Sequence, residues 1–254
     1  VTHFLPFFDQ IGVTAAVVRS TRHGNTPQIN TPHSRRRVSL ADYEWADLVD
    51  DLDKVRMLVD PTSSYAKAAA AAMNRSIDDV IIAAIGGQAQ TGVSGGTNQL
   101  LPTASKFATT DQSDGLTIAK LLAAKHFLDA GDVDPSLKRY IVCGAKQIQD
   151  LLGTTSVTSA DFNTVKALAS GQVDSFLGFN FIMSNRLLMH GTHTTDRLCY
   201  AFTEDAVKLA IGADVKAKIS ERDDKSYATQ VYYSMALGAV RMEEEKVFQI
   251  PCNE

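Results

Sequence analysis

The segment from Arg19 to Trp45 constrains this chain most. Its first part, Arg19 to Arg37, holds five arginines (Arg19, Arg22, Arg35, Arg36 and Arg37), no carboxylate, and the turn formers Gly24, Pro27 and Pro32. An acidic stretch follows at once, with Asp42, Glu44, Asp47, Asp50, Asp51 and Asp53 against Lys54 and Arg56. Val13 to Val18 reads as a strand. Arg37 to Tyr43 places Val38, Leu40 and Ala41 among polar residues and reads as its return partner. Two strands joined by so long a connection make an extended hairpin. A hairpin alone is only marginally stable in water, so one that projects this far finds its stability against another chain. Segregated charge points the same way. A positive arm that reaches a negative neighbour steers encounter and sets register. Self-assembly is therefore the first expectation.

The chain has 254 residues, enough for one large domain or two small ones with a substantial core. Its formal net charge of -4 excludes a general nucleic-acid binder, although one local basic patch is compatible with contact to a polyanion. The three cysteines, Cys143, Cys199 and Cys252, are few and far apart. They suggest free buried thiols in a reducing compartment, with no disulfide framework or zinc knuckle. No apolar run reaches the roughly 18 to 20 residues that span a bilayer, so no membrane partner is expected. Val1 to Phe8 lacks the basic start and small-residue cleavage site of a signal peptide. The chain starts without Met, so a missing or processed upstream segment is expected.

Further along, Trp45 to Val59 has helical spacing, with Leu48, Val49, Leu52, Val55 and Val59 near one face, and Asp60-Pro61 ends it. A stronger helix follows, capped by Thr62 or Ser63, built on the alanines from Ala68 to Ala72, and stopped by Gly86-Gly87. Its apolar face is Met73, Ile77, Val80, Ile81 and Ala84. At about 22 residues, or roughly 33 Å, it is long enough to act as a spine. Gly86 to Gly96 reads as a flexible loop. Helices are expected at Asp114 to Ala130, Ala145 to Leu152 and Ser159 to Ala169. Strands are expected at Tyr140 to Cys143, Phe176 to Met183, Leu198 to Phe202, Ala206 to Ile211, Val215 to Ile219 and Tyr227 to Met242. Asp223 to Ser226 forms a turn between the last two. The fold class is α+β.

Few residues suggest catalysis. Gly92-Val93-Ser94-Gly95-Gly96 matches the nucleophile-elbow pattern, but that motif needs a strand before it and a helix after it. A serine hydrolase at Ser94 is thus the weak enzymatic alternative. The same glycines lack the Lys-Ser or Lys-Thr of a phosphate loop. His190, His193 and Asp196 lie in a loop segment, where a solvated loop is a better reading than a metal site. Glu243, Glu244 and Glu245 form a charge run beside the last strand, where an intersubunit role is open. No catalytic group, cofactor or metal is assigned.

Several segments, in order, resemble the major capsid protein of tailed bacteriophages with the Hong Kong 97 fold. They are Phe7-Phe8-Asp9-Gln10-Ile11-Gly12, Thr21 to Pro27, Thr31 to Arg37, Asp42 to Asp47, Asp60 to Ala66 and Asp78 to Ala84. The series continues through Ala160 to Asn163, Phe176 to Phe181, Asp224 to Val231 and Arg241 to Val247. No single motif is diagnostic; the ordered set, over nearly the whole chain, carries the resemblance. It implies an extended loop from Ile11 to Tyr43 within residues 1–45. A peripheral part with a spine helix would occupy 46–113, an axial domain 114–198, and peripheral C-terminal strands 199–254. Family members usually carry an arm before the Phe-Phe-Asp-Gln segment, and almost nothing precedes it here. The resemblance therefore leads to the expectation of an arm that is cleaved, disordered or absent.

The resemblance also implies hexamers and pentamers that tile an icosahedral head around packaged double-stranded DNA. The DNA would be contacted without sequence specificity. Portal, scaffolding and decoration proteins would be further partners. The site would be the virion, assembled in the bacterial cytoplasm. An encapsulin-like compartment shares the fold and is the alternative shell. On this reading Arg19, Arg22, Arg35, Arg36 and Arg37 anchor the loop on a neighbour. Their acidic partners would come from Asp47, Asp50, Asp51, Glu243, Glu244 and Glu245.

Overall fold

A computed structural model describes residues 6–12, 14–50, 61–107, 114–153, 175–191 and 195–254. In chain order its elements are β1 (Phe7–Ile11), β2 (His33–Arg37), β3 (Ala41–Val49), α1 (Pro61–Gly86), β4 (Ala89–Thr91) and β5 (Thr97–Gln99). A 3-10 turn at Thr103–Ser105 leads to α2 (Ile118–Ala130), β6 (Arg139–Cys143), α3 (Ala145–Gly153), β7 (Ser175–Phe176) and β8 (Phe179–Met183). β9 (Asp196–Thr203), β10 (Val207–Arg222), β11 (Ala228–Arg241) and β12 (Val247–Asn253) complete the chain.

The strands form three sheets: β1-β2-β4-β5, β10-β11-β3 and β12-β9-β6-β8-β7. All pairings are antiparallel except β6 with β8. The main core lies against the five-stranded sheet. Ile141, Cys143, Phe179, Cys199, Ala201 and Ile250 pack there with Leu121, Ala124 and Leu128 of α2 and Leu151 of α3. α1 has 26 residues, or about 39 Å at 1.5 Å per residue, and serves two cores. Near its middle, Met73, Ile77 and Val80 meet Tyr43, Trp45, Tyr233, Met235 and Leu237 of the three-stranded sheet. A turn later, Ile81, Ile82 and Ile85 join the main core. The expected apolar face therefore splits between two layers. α1 also begins at Pro61, earlier than the Thr62 or Ser63 cap. Proline suits a first helical position because its missing N–H has no intrahelical acceptor there.

Several local expectations are corrected. Residues 14–18 form no strand; the hairpin ladder pairs Phe7–Ile11 with His33–Arg37. Phe7 and Phe8 have a body to pack on, whereas Val17 and Val18 have none among the described residues. Trp45 to Val49 is strand, not helix, and residues 51–60 lie outside the described set. Tyr43, Trp45 and Val49 turn toward cover at period two while β11 supplies the ladder, and that pairing overrides the short helical pattern. The Gly86 to Gly96 loop contains strand β4, which pairs with β5 immediately after it. Gly92 (φ 96°) and Gly95 (φ 66°) supply the left-handed turn between them. α2 starts at Ile118, where the Thr117 side chain accepts from Lys120 N. Phe176 to Met183 folds back on itself at Leu177-Gly178, both with positive φ. The two strands expected across 206–219 are one strand, with register irregularities between Ile211 and Lys216. β12 was not anticipated, since Pro251 interrupts its pattern; it lies at a sheet edge, where proline is tolerated. The expected helix Ser159 to Ala169 lies outside the described residues.

Candidate subunit interface

The β1–β2 ladder ends where Gly12 N donates to Pro32 O at 2.9 Å. Beyond it, residues 14–30 run as exposed, irregular chain. Val17 and Val18 are 60% and 90% exposed, and Ile29 is 47% exposed. Arg19 Nε donates to Thr21 O at 3.0 Å, a local turn contact, and Arg22 is exposed. This arm thus offers apolar and cationic groups together.

The three arginines at its root behave differently, because a strand sends successive side chains to opposite faces. Arg35 faces Asp9 across the ladder at 3.2 Å and lies 5.3 Å from the Phe7 ring centre. Arg37 Nε donates to Gln90 Oε1 at 2.6 Å. Gly95 makes room for that side chain: a Cβ there would lie 2.6 Å from Arg37 Cβ. Arg36 turns into the body and is buried. Its Nε donates to Met242 O at 2.9 Å and its Nη2 to Glu244 Oε2 at 2.8 Å. Glu244 also lies 3.6 Å from the fully buried Arg241. Arg241 in turn donates to the carbonyls of Ile85, Gly87 and Gln99. Two buried guanidiniums therefore share one carboxylate. Burial pushes the Arg241 pKa down, opposed by Glu244 and reinforced by Arg36. Among the described residues Arg36 Nη1, Arg241 Nε and Glu244 Oε1 have no hydrogen-bond partner. The cluster ties the arm root to the end of α1, to β5 and to the turn after β11.

The expected acidic partners divide similarly. Glu244 meets Arg36, but within one chain. Glu243 lies 3.1 Å from Lys246, which also holds Asp205 at 2.5 Å. Burial raises the Asp205 pKa, but hydrogen bonds from Lys246 and Thr203 outweigh it and leave the carboxyl below its ordinary value. Glu245 is exposed. Asp47 and Asp50 are exposed on and just after β3, and Asp51 lies outside the described residues. No ion pair joins any of the five arginines to Asp47 or Asp50 among the described residues. A cleft of about 750 Å³ opens between arm root and body, with Ile11, Phe127 and Ala130 in its walls and Glu243 to Glu245 along it. Sequence reasoning missed Arg241, Asp9 and Gln90. Only the three-residue spacing of Arg241 and Glu244 hinted at a pair.

The residues weighed for catalysis lie apart. Ser94 occupies the turn between β4 and β5, with no strand-to-helix elbow around it. His190 N donates to Asp196 O, and His193 is outside the described residues. No group of three or more potential metal ligands occurs among the described residues. No helix among them is long and apolar enough to cross a membrane. Cys143, Cys199 and Cys252 are buried free thiols, and burial pushes Cys143 up to about 12.

The whole chain has recognisable relatives. A family described as phage capsid protein matches residues 5–254. No curated protein sequence matches. Among solved structures, the capsid of Cyanophage P-SCSP1u superposes with a TM-score of 0.74 at 17% identity, covering 97% of this chain and 82% of that one. The capsid of Ralstonia phage GP4 gives 0.71 at 10% identity, covering 98% and 83%. A structure from Mycobacterium phage Che8 gives 0.68 at 20% identity, covering 96% and 84%. At such identities the superpositions speak for the fold, which is that of Hong Kong 97-like capsid proteins, and the family match speaks for kinship. The chain therefore belongs to the phage capsid protein family, as a structural major capsid protein of a virion shell.

Proposed function

We propose that copies of this chain form hexamers and pentamers that close into an icosahedral head around double-stranded DNA. The exposed arm of residues 14–30 carries this reading. It leaves its own body with Val17, Val18 and Ile29 uncovered and with Arg19 and Arg22 free of any carboxylate among the described residues. Such a segment gains stability only by lying on a neighbour. Arg19 and Arg22, with half-exposed Arg35, anchor the arm on acidic residues of that neighbour drawn from Asp47, Asp50, Asp51, Glu243 and Glu245. The cleft beside Glu243 to Glu245 has the apolar walls and acidic rim to accept such an arm. Arg36 and Glu244 already pair within one chain and are left to hold the arm's root.

On the same reading, residues 1–45 hold the N-terminal segment and the extended loop, and 46–113 are a peripheral part with α1 as its spine. Residues 114–198 are the axial domain at the capsomer centre, and 199–254 return to the periphery. Portal, scaffolding and decoration proteins are the further partners, and assembly takes place in the bacterial cytoplasm. The work is mechanical, without turnover. Each exposed ion pair contributes only about 0 to 1 kcal/mol, but repetition around rings multiplies it.

Arg19→Glu with Arg22→Glu tests the anchor. The variant should melt like the parent and yield no closed particles in electron microscopy. Normal shells from it would remove the arm-anchor reading. Particle contents separate the two shell readings: packaged DNA supports a phage head, whereas enclosed protein supports a compartment.

A further inference from the structure

The sheet β10-β11-β3 carries opposite charge on its two outer strands. β10 holds Lys208, Lys216, Lys218 and Arg222 against Asp214 and Glu221. β3 holds Asp42, Glu44 and Asp47 and no basic residue. The register puts much of this charge on one face. Lys216 pairs with Ser234, and Ser234 with Glu44, so one row crosses the sheet with a lysine at one end and a glutamate at the other. The next row is Lys218, Tyr232 and Ala46. Ala236 continues the face to Asp42. Directly paired residues share a face, so these side chains lie together. The other face belongs to Tyr43, Trp45, Tyr233 and Met235, which pack on α1.

Nothing among the described residues neutralises this arrangement. Lys216, Lys218, Asp42 and Glu44 are all exposed. Among the described residues neither lysine, nor Asp42, has an ion-pair or hydrogen-bond partner. Glu44 accepts only the Tyr232 hydroxyl among the described residues, at 3.0 Å. The two outer strands are about 10 Å apart, and among the described residues no ion pair joins these lysines to the carboxylates across the sheet. The lysine-bearing edge is also apolar. Ile211, Val215 and Ile219 on β10 are 60%, 42% and 54% exposed. A strand of 16 residues with an open side is a ready surface for another chain, and lysines alone would only guard it. The acidic strand on the far side of the same sheet supplies their complement.

We infer that the β10 edge of one copy seats against the β3 edge of a neighbouring copy, with Lys216 and Lys218 facing Asp42 and Glu44. The inference rests on the assembly reading above and adds a second contact, separate from the arm. It joins different patches of identical copies, the kind of contact that closes into rings.

Four chains test it: the parent, Lys216→Glu with Lys218→Glu, Asp42→Lys with Glu44→Lys, and all four changes together. Each is followed by thermal melting, mass photometry and electron microscopy across a concentration series. All four substituted side chains are exposed, so all four chains should melt alike. Each half-swap should raise the concentration at which rings or particles appear by about tenfold or more, since like charges then meet. The full swap should restore most of the assembly. Half-swaps that assemble like the parent would overturn the contact. So would a full swap no better than the halves. A parent chain that stays monomeric throughout would instead overturn the assembly reading, and this contact with it.

Discussion

At the residue scale, three adjacent arginines of identical chemistry have three different fates. Arg35 reaches Asp9, Arg37 reaches Gln90, and Arg36 is buried against Glu244. Composition and spacing identify the run but not these fates. The face each side chain takes depends on a ladder that starts at Phe7, and Arg241 arrives from another sheet altogether. The buried cluster makes a sharp prediction. Glu244→Ala leaves two buried guanidiniums without their carboxylate and should cost about 3–5 kcal/mol, read as a lower denaturant midpoint at unchanged slope. A second prediction concerns acid. Arg197 bonds both carboxylate oxygens of Glu254. Those hydrogen bonds, outweighing partial burial, hold the Glu254 pKa below its ordinary value of 4.5. The folded state therefore gains stability above that value and loses it as pH falls through the lowered one. The melting-temperature gap between parent and Glu254→Gln should be widest near neutral pH and close in acid. A gap independent of pH would assign the effect to packing.

At the element scale, α1 joins the two cores, and its C-terminal end is the tightest joint. A Cβ at Gly86 would lie 2.1 Å from the Tyr200 hydroxyl and 2.7 Å from its Cζ. Gly86→Ala should therefore cost about 1–3 kcal/mol through overpacking. Tyr200→Phe in the same chain should recover part of that loss, because it removes the nearest atom. Equal costs with and without the hydroxyl, in a double-mutant cycle, would place the strain elsewhere. The sequence announces α1 well, since an alanine run and a sustained apolar stripe are strong local signals. It also places α2, α3, β6, β9 and β11 to within a few residues. It misplaces elements whose partners are remote. Trp45 to Val49 becomes strand because β11 lies beside it, and β10 stays continuous because β11 is long enough to pair across its irregularity. Local pattern holds no record of such partners.

At the scale of the whole molecule, two kinds of surface coexist. The body closes its own cores, while the arm and the outer edges of the three-stranded sheet remain open. The division predicts that the arm can be removed without harm to the body. Gly12 and Pro32 already meet through a backbone hydrogen bond, so a short Gly-Ser turn in place of residues 14–31 joins points that are close in space. Shortening a loop changes closure entropy by only about 0.6 kcal/mol per halving, and in the stabilising direction. The shortened chain should therefore melt at or slightly above the parent temperature. Its β1–β2 ladder should persist, since Phe8 packs near Val38 and Leu40, and Arg36 holds Glu244. Assembly should fail, because the uncovered apolar and cationic groups of the arm are gone. Sedimentation would then show a monomer or small rings where the parent gives shells. A melting temperature that drops by many degrees would mean that the arm packs on its own body, and the neighbour would no longer be needed to explain it.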